Sequence, residues 1–115
     1  MLFRSRGVEG LIATNTTISR DGLLTPQPEV DAVGAGGLSG PVLRKRAVEV
    51  LRLIRSQDPH VTVISVGGIS SGHDAAERLG AGATLVQAYT GFVYGGPLWP
   101  RRVVRELAVT PGEDA

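Results

Sequence analysis

Three times along the chain, a short β-branched apolar run passes through a polar or glycine-bearing turn into a helical pattern, and this alternation constrains the fold more than any other feature. The first unit opens with "GVEGLIATNTT", a strand ending near Asn15. After a long connection, "PVLRKRAVEVLRLIRS" reads as a helix with Pro41 in its first turn, where a missing N–H costs nothing. Its apolar residues Leu43, Ala47, Val50, Leu51 and Ile54 share one stripe, with Arg44, Arg52 and Arg55 largely off it. The second unit is "VTVIS" followed by a helix around Asp74 to Leu79. The third is "ATLVQA", then "YTGFVYGGP" and a last helix from about Pro97 to Ala108. Such alternation implies α/β architecture with parallel strands and right-handed crossovers.

Three parallel strands leave two open edges, whereas parallel sheets are normally covered on both faces or closed into a barrel. The pattern therefore reads as part of a larger sheet, either doubly wound or a (β/α)8 barrel. The turns decide between them. Barrels often seat a phosphate on the loops after their last two strands and on a short extra helix. Here the last two strands run into "VGGI" and "YTGF", and a short segment, Gly91 to Tyr94, precedes the final helix. The expected fold is about three βα units from the C-terminal part of a (β/α)8 TIM barrel. A chain of 115 residues can bury a core of modest size.

Two stretches carry candidate chemistry. In "SVGGISSG", Gly67 and Gly68 lie at a strand-to-helix turn, with Ser70 or Ser71 available as N-cap. Such a turn either binds a phosphate through outward-facing amides or is simply tight. In "ATNTT", the Thr and Asn side chains either bind a ligand or end the strand through side-chain-to-backbone bonds. The connection from about Ile18 to Ser39 is long and rich in Gly and Pro, which suits a partial cover over the site or a mobile linker. His60 and His73 have no partner at metal-ligand spacing, so no metal site is assigned. A net charge of +1 and 4% aromatic residues give no nucleic-acid footprint. Without cysteine there are no disulfides, and no apolar run approaches the roughly 20 residues of a membrane span. Nor does "MLFRSRG" lead into the apolar segment of a signal peptide.

Taken together, "IATNTT", "GGLSGP", "SVGGI" and "GATLVQAYTGFVYGGP" resemble the C-terminal third of dihydroorotate dehydrogenases of the quinone-dependent, membrane-associated class. The resemblance runs from about Gly7 to Ala108, with the motifs in order. It implies FMN across the C-terminal mouth of the barrel, its phosphate held by backbone amides. Thr14, Gly40, Gly68, Tyr89 and Thr90 match cofactor-binding positions, and Gly68 is expected to leave room for phosphate oxygens where a Cβ would intrude. Asn15 and Thr16 match orotate-binding positions; an amide side chain offers donor and acceptor to a cyclic imide. The implied partners are dihydroorotate or orotate, and a quinone reached through an N-terminal part. That part would also make the membrane contact, placing the full-length enzyme peripherally on the cytoplasmic face of a bacterial cell membrane.

The resemblance also implies what this sequence does not carry. The family's serine base, the lysine near the flavin ring and the quinone-binding helices belong upstream. Ser39, Ser65, Ser70 and Ser71 do not match the serine's position, so no catalytic residue is assigned. Leu2 to Ser5 departs from family sequence. Residues 1–6 are accordingly set apart as non-native, 7–109 form the partial barrel, and 110–115 form a disordered tail. Two other readings stay open. Another flavin- or phosphate-binding barrel would share "VGGI" but give no reason for "ATNTT". A non-catalytic phosphate-binding half-barrel would close its sheet by self-association.

Overall fold

The computed structural model describes residues 4–109. The expected tail at 110–115 and the first three of the residues set apart at the N-terminus lie outside the described residues. The β-branched runs form β1 (Gly10–Ala13), β2 (Thr62–Val66) and β3 (Leu85–Gln87), parallel and in the order β1-β2-β3. Ala13 lies opposite Ser65 and Val66 opposite Gln87, so all three strands end along one edge.

The connections supply α1 (Gln27–Val33), α2 (Arg44–Gln57), α3 (Gly72–Gly80), α4 (Thr90–Gly95) and α5 (Trp99–Val109). Pro41–Leu43 form a 3-10 turn ahead of α2, which is how a proline enters that helix without disrupting it. Of the two possible caps for α3, Ser71 serves: its hydroxyl accepts the Asp74 N–H at 3.2 Å.

Alternation along β2 sorts its residues by face. Val63 and Ser65 are buried beneath the helices. Ile12, Ile64 and Leu85 are in register on the opposite face, where Ile12 is 65% and Leu85 57% exposed. The described residues thus cover one face of the sheet, as they would with the other lining a barrel interior. The covered side holds two apolar clusters. Leu51, Val61 and Val63 join α2 to the sheet, and Ile69, Ala75, Trp99 and Val103 pack α3 against α5. Trp99 is buried and donates its indole N–H to the Ser70 carbonyl at 3.0 Å.

The connection before α2 is more structured than its composition suggests. It carries α1, none of whose residues is buried, and an antiparallel bridge between Thr17 and Leu38 closes its base. Arg20 reinforces that closure by donating to the Gly36 carbonyl at 2.6 Å. On α2, Val48 is buried where Val50 is half-buried. Arg55, expected to lie off the apolar stripe, instead turns its guanidinium onto the Gly82 and Asp58 carbonyls at 2.7 and 3.2 Å.

Candidate functional site

A cavity of about 560 Å³ opens at the edge where the three strands end. Thr14, Asn15 and Thr16 reach it from β1, Gly67 and Gly68 from β2, and Tyr89 and Thr90 from β3. Ser39 and Gly40 enter from the turn before α2. All seven expected site residues therefore share one wall. Among the described residues no Asp, Glu, Lys or Arg lines it; its polarity comes from backbone, hydroxyls and amides.

Each turn faces the cavity for a local reason. Gly40 is buried at φ +96°, and a Cβ there would meet nothing nearer than the Thr90 methyl, 3.7 Å away. The absence of a side chain at Gly40 keeps that part of the cavity open. Ser39 and Thr90 join their hydroxyls at 2.8 Å, fixing the turn before α2 to the start of α4. Tyr89 leaves its side chain 79% exposed.

At Gly68 an added side chain would meet the protein itself. Its φ is +76°, and a Cβ would fall 2.5 Å from the Arg44 backbone nitrogen and 2.6 Å from its Cα. The contact lies against the start of α2 rather than in open space. Gly68 lets two turns touch. At Gly67, φ +107°, a Cβ would approach the Thr14 hydroxyl to 3.1 Å.

The "ATNTT" stretch ends its strand through local hydrogen bonds. The Thr14 N–H donates to the Val66 carbonyl at 2.8 Å, extending the β1–β2 ladder by one residue beyond Ala13. The Asn15 carboxamide oxygen accepts the Thr16 N–H at 2.8 Å, shaping the strand end. Its NH₂ group remains the part with donors to offer a ligand.

Sequence reasoning missed the charged group beneath these turns. Arg78 on α3 is fully buried. It donates to the Ser65 hydroxyl at 3.1 Å, to the Gly67 carbonyl, and at 3.5 Å to the Arg44 carbonyl. Its Nε finds no partner among the described residues. Burial pushes the guanidinium down from its ordinary pKa, against the opposing pull of Glu77 and Asp74. Arg44 completes the cluster, donating to Glu77 at 2.9 Å and pairing with Asp74 at 3.1 Å. Its pKa is raised, chiefly by the Glu77 hydrogen bond and then by the Asp74 charge. The available signal was spacing: Arg78 lies three residues after buried Ala75, on the core side of α3.

A family model described as dihydroorotate dehydrogenase matches residues 2–110. The chain is 61% identical over 103 residues to the dihydroorotate dehydrogenase (quinone) of Nocardioides sp., covering 89% of this chain and 29% of that protein. Against the protein of the same name from Thermobifida fusca, identity is 56% over 109 residues, covering 94% and 29%. The crystal structure of ligand-free DHODH from Eimeria tenella aligns with a TM-score of 0.80 at 38% identity, over 90% of this chain and 28% of that one. The chain therefore spans 29% of the length of these two curated relatives, and its three parallel βα units match part of their family's barrel. Sequence and fold agree that the chain belongs to the dihydroorotate dehydrogenase family.

Proposed function

We propose that this chain provides the FMN-phosphate and orotate-binding wall of a quinone-dependent dihydroorotate dehydrogenase, the enzyme that oxidises dihydroorotate to orotate in pyrimidine biosynthesis. The observation that carries the reading is one cavity at the strand ends where Thr14, Asn15, Thr16, Gly40, Gly68, Tyr89 and Thr90 all converge. FMN supplies the redox chemistry when bound, taking up the two electrons removed from the substrate.

The residues present fit that group. Gly40 lines the cavity at φ +96° and has no side chain to stand between its backbone and a ligand. An uncharged wall suits a phosphate bound through amides and hydroxyls, since no carboxylate repels it. Gly40, Gly68, Tyr89 and Thr90 would hold the phosphate, and Thr14 would meet the flavin beside the end of β1. Asn15 and Thr16 would orient the orotate ring through the Asn15 NH₂ and the Thr16 hydroxyl. None of these groups is assigned as the base that takes the substrate proton. Quinone and membrane contact fall to the part of the family fold beyond these three units. No described helix is long and apolar enough to cross a membrane.

Titrating the chain with FMN and with riboflavin, which lacks the phosphate, tests the reading. One charge-assisted backbone hydrogen bond, about 1.5–3 kcal/mol, is enough for FMN to bind at least about tenfold more tightly. Asn15→Ala is expected to keep that preference while weakening orotate binding. Equal affinity for the two flavins, or an Asn15→Ala chain that loses FMN and keeps orotate, would contradict the assignment.

A further inference from the structure

The geometry points to Arg78 as a positioning residue that aims the Gly68 amide into the cavity from beneath the sheet edge. This rests on the phosphate reading above, and it concerns a side chain that does not line the cavity at all.

The peptide between Gly67 and Gly68 sets the direction of both groups. A trans peptide is planar, with its C=O and N–H pointing in opposite directions. Arg78 holds the Gly67 carbonyl on the buried side, beneath α3. The Gly68 N–H of that same peptide must then point the other way, toward the cavity that both glycines line. Both residues have positive φ and no side chain, so this stretch of backbone has little of its own to fix its orientation. The guanidinium supplies what the glycines lack.

Arg78 also acts on the neighbouring turn. Its second terminal nitrogen donates to the Ser65 hydroxyl at the end of β2, while the nitrogen that holds the Gly67 carbonyl also reaches the Arg44 carbonyl where α2 begins. The Arg44 backbone is the surface on which Gly68 rests. One buried group thus registers the turn after β2, the end of β2 and the start of α2 against each other. Burying a guanidinium with one nitrogen unpartnered is unfavourable beside an apolar side chain of similar volume. The Gly67 carbonyl it holds gives that burial a role. Asp74 and Glu77 from its own helix, and Arg44 from α2, are the charged groups that act on it, and they leave the cluster electrically balanced.

The test compares FMN with riboflavin on the 115-residue chain and on Arg78→Met, Arg78→Gln and Arg78→Lys, with circular dichroism reporting the fold. Arg78→Met is expected to reduce the preference for FMN over riboflavin by at least about tenfold, as for one lost charge-assisted hydrogen bond. Riboflavin affinity should stay within about twofold, because only the phosphate reads the Gly68 amide. Arg78→Lys, which can still donate to the Gly67 carbonyl, should recover most of the preference. If Arg78→Met does not fold, Arg78→Gln is judged by the same ratio. Proportional weakening of both flavins would make Arg78 a stabiliser of the fold alone and overturn the inference. So would an intact FMN preference in the Met or Gln variant. A wild-type chain without any preference would overturn the phosphate reading itself, and this inference with it.

Discussion

Gly40 and Gly68 stand in the same cavity wall, yet a side chain at each would meet different things. At Gly40 an added Cβ enters the space beside Thr90. Gly40→Val carries backbone strain from φ +96° but meets no clash. It is expected to destabilise the fold less than Gly68→Val and to weaken FMN by at least about tenfold, through lost approach to one amide. At Gly68 the same change drives a Cβ into the Arg44 backbone and holds a β-branched residue at φ +76°. Strain of about 1–2 kcal/mol for the backbone and 1–3 kcal/mol for overpacking should lower the melting midpoint before any ligand is added. Thermal melts of the two variants, run beside FMN titrations, separate the cases; a Gly68→Val chain as stable as wild type would contradict this account. The positions were legible in sequence because "VGGI" and "GGLSG" carry the resemblance. The reason for Gly68 was not, because it depends on how closely α2 approaches, which no local pattern encodes. Arg78 was hidden for the same cause: its partners Ser65, Gly67 and Arg44 come from other elements.

At the scale of elements, capping and periodicity located β1, β2, β3, α2, α3 and α5 to within a few residues. The cap on α3 is the clearest instance. Ser71→Ala removes the acceptor for the Asp74 N–H and is expected to cost about 1 kcal/mol, read from denaturant unfolding. Ser70→Ala should cost less, since its structural role is carried by its backbone: the N–H donates to Asp74 and the carbonyl accepts from Trp99. Equal losses in the two variants would contradict the assignment of Ser71 as the cap. By contrast, α1 was not legible. Seven residues between prolines and Gly34 offer no buried stripe, so hydrophobic periodicity has nothing to report. The closure at its base comes from Thr17, Leu38 and Arg20, a long-range arrangement invisible to a reading of turn residues.

For the whole molecule, the sheet face opposite the helices decides behaviour in solution. Ile12, Ile64 and Leu85 form an apolar row there, and β1 and β3 each pair with one strand among the described residues. Uncovered apolar surface together with open strand edges favours association. The chain by itself is expected to show concentration-dependent association in sedimentation velocity, whereas a monomer with a cooperative melt and no dye-binding apolar surface would contradict that. The strand alternation made the open edges legible in sequence; the uncovered sheet face was not, because it depends on how the helices pack. The central claim, that the cavity at the strand ends is the flavin-phosphate and orotate site, is tested most directly by amide chemical shifts on titration with FMN and then riboflavin. The account predicts that FMN moves the Gly40, Gly68, Tyr89 and Thr90 amides and that riboflavin leaves them near their free positions. Shifts that appear elsewhere, or that riboflavin reproduces in full, would contradict it.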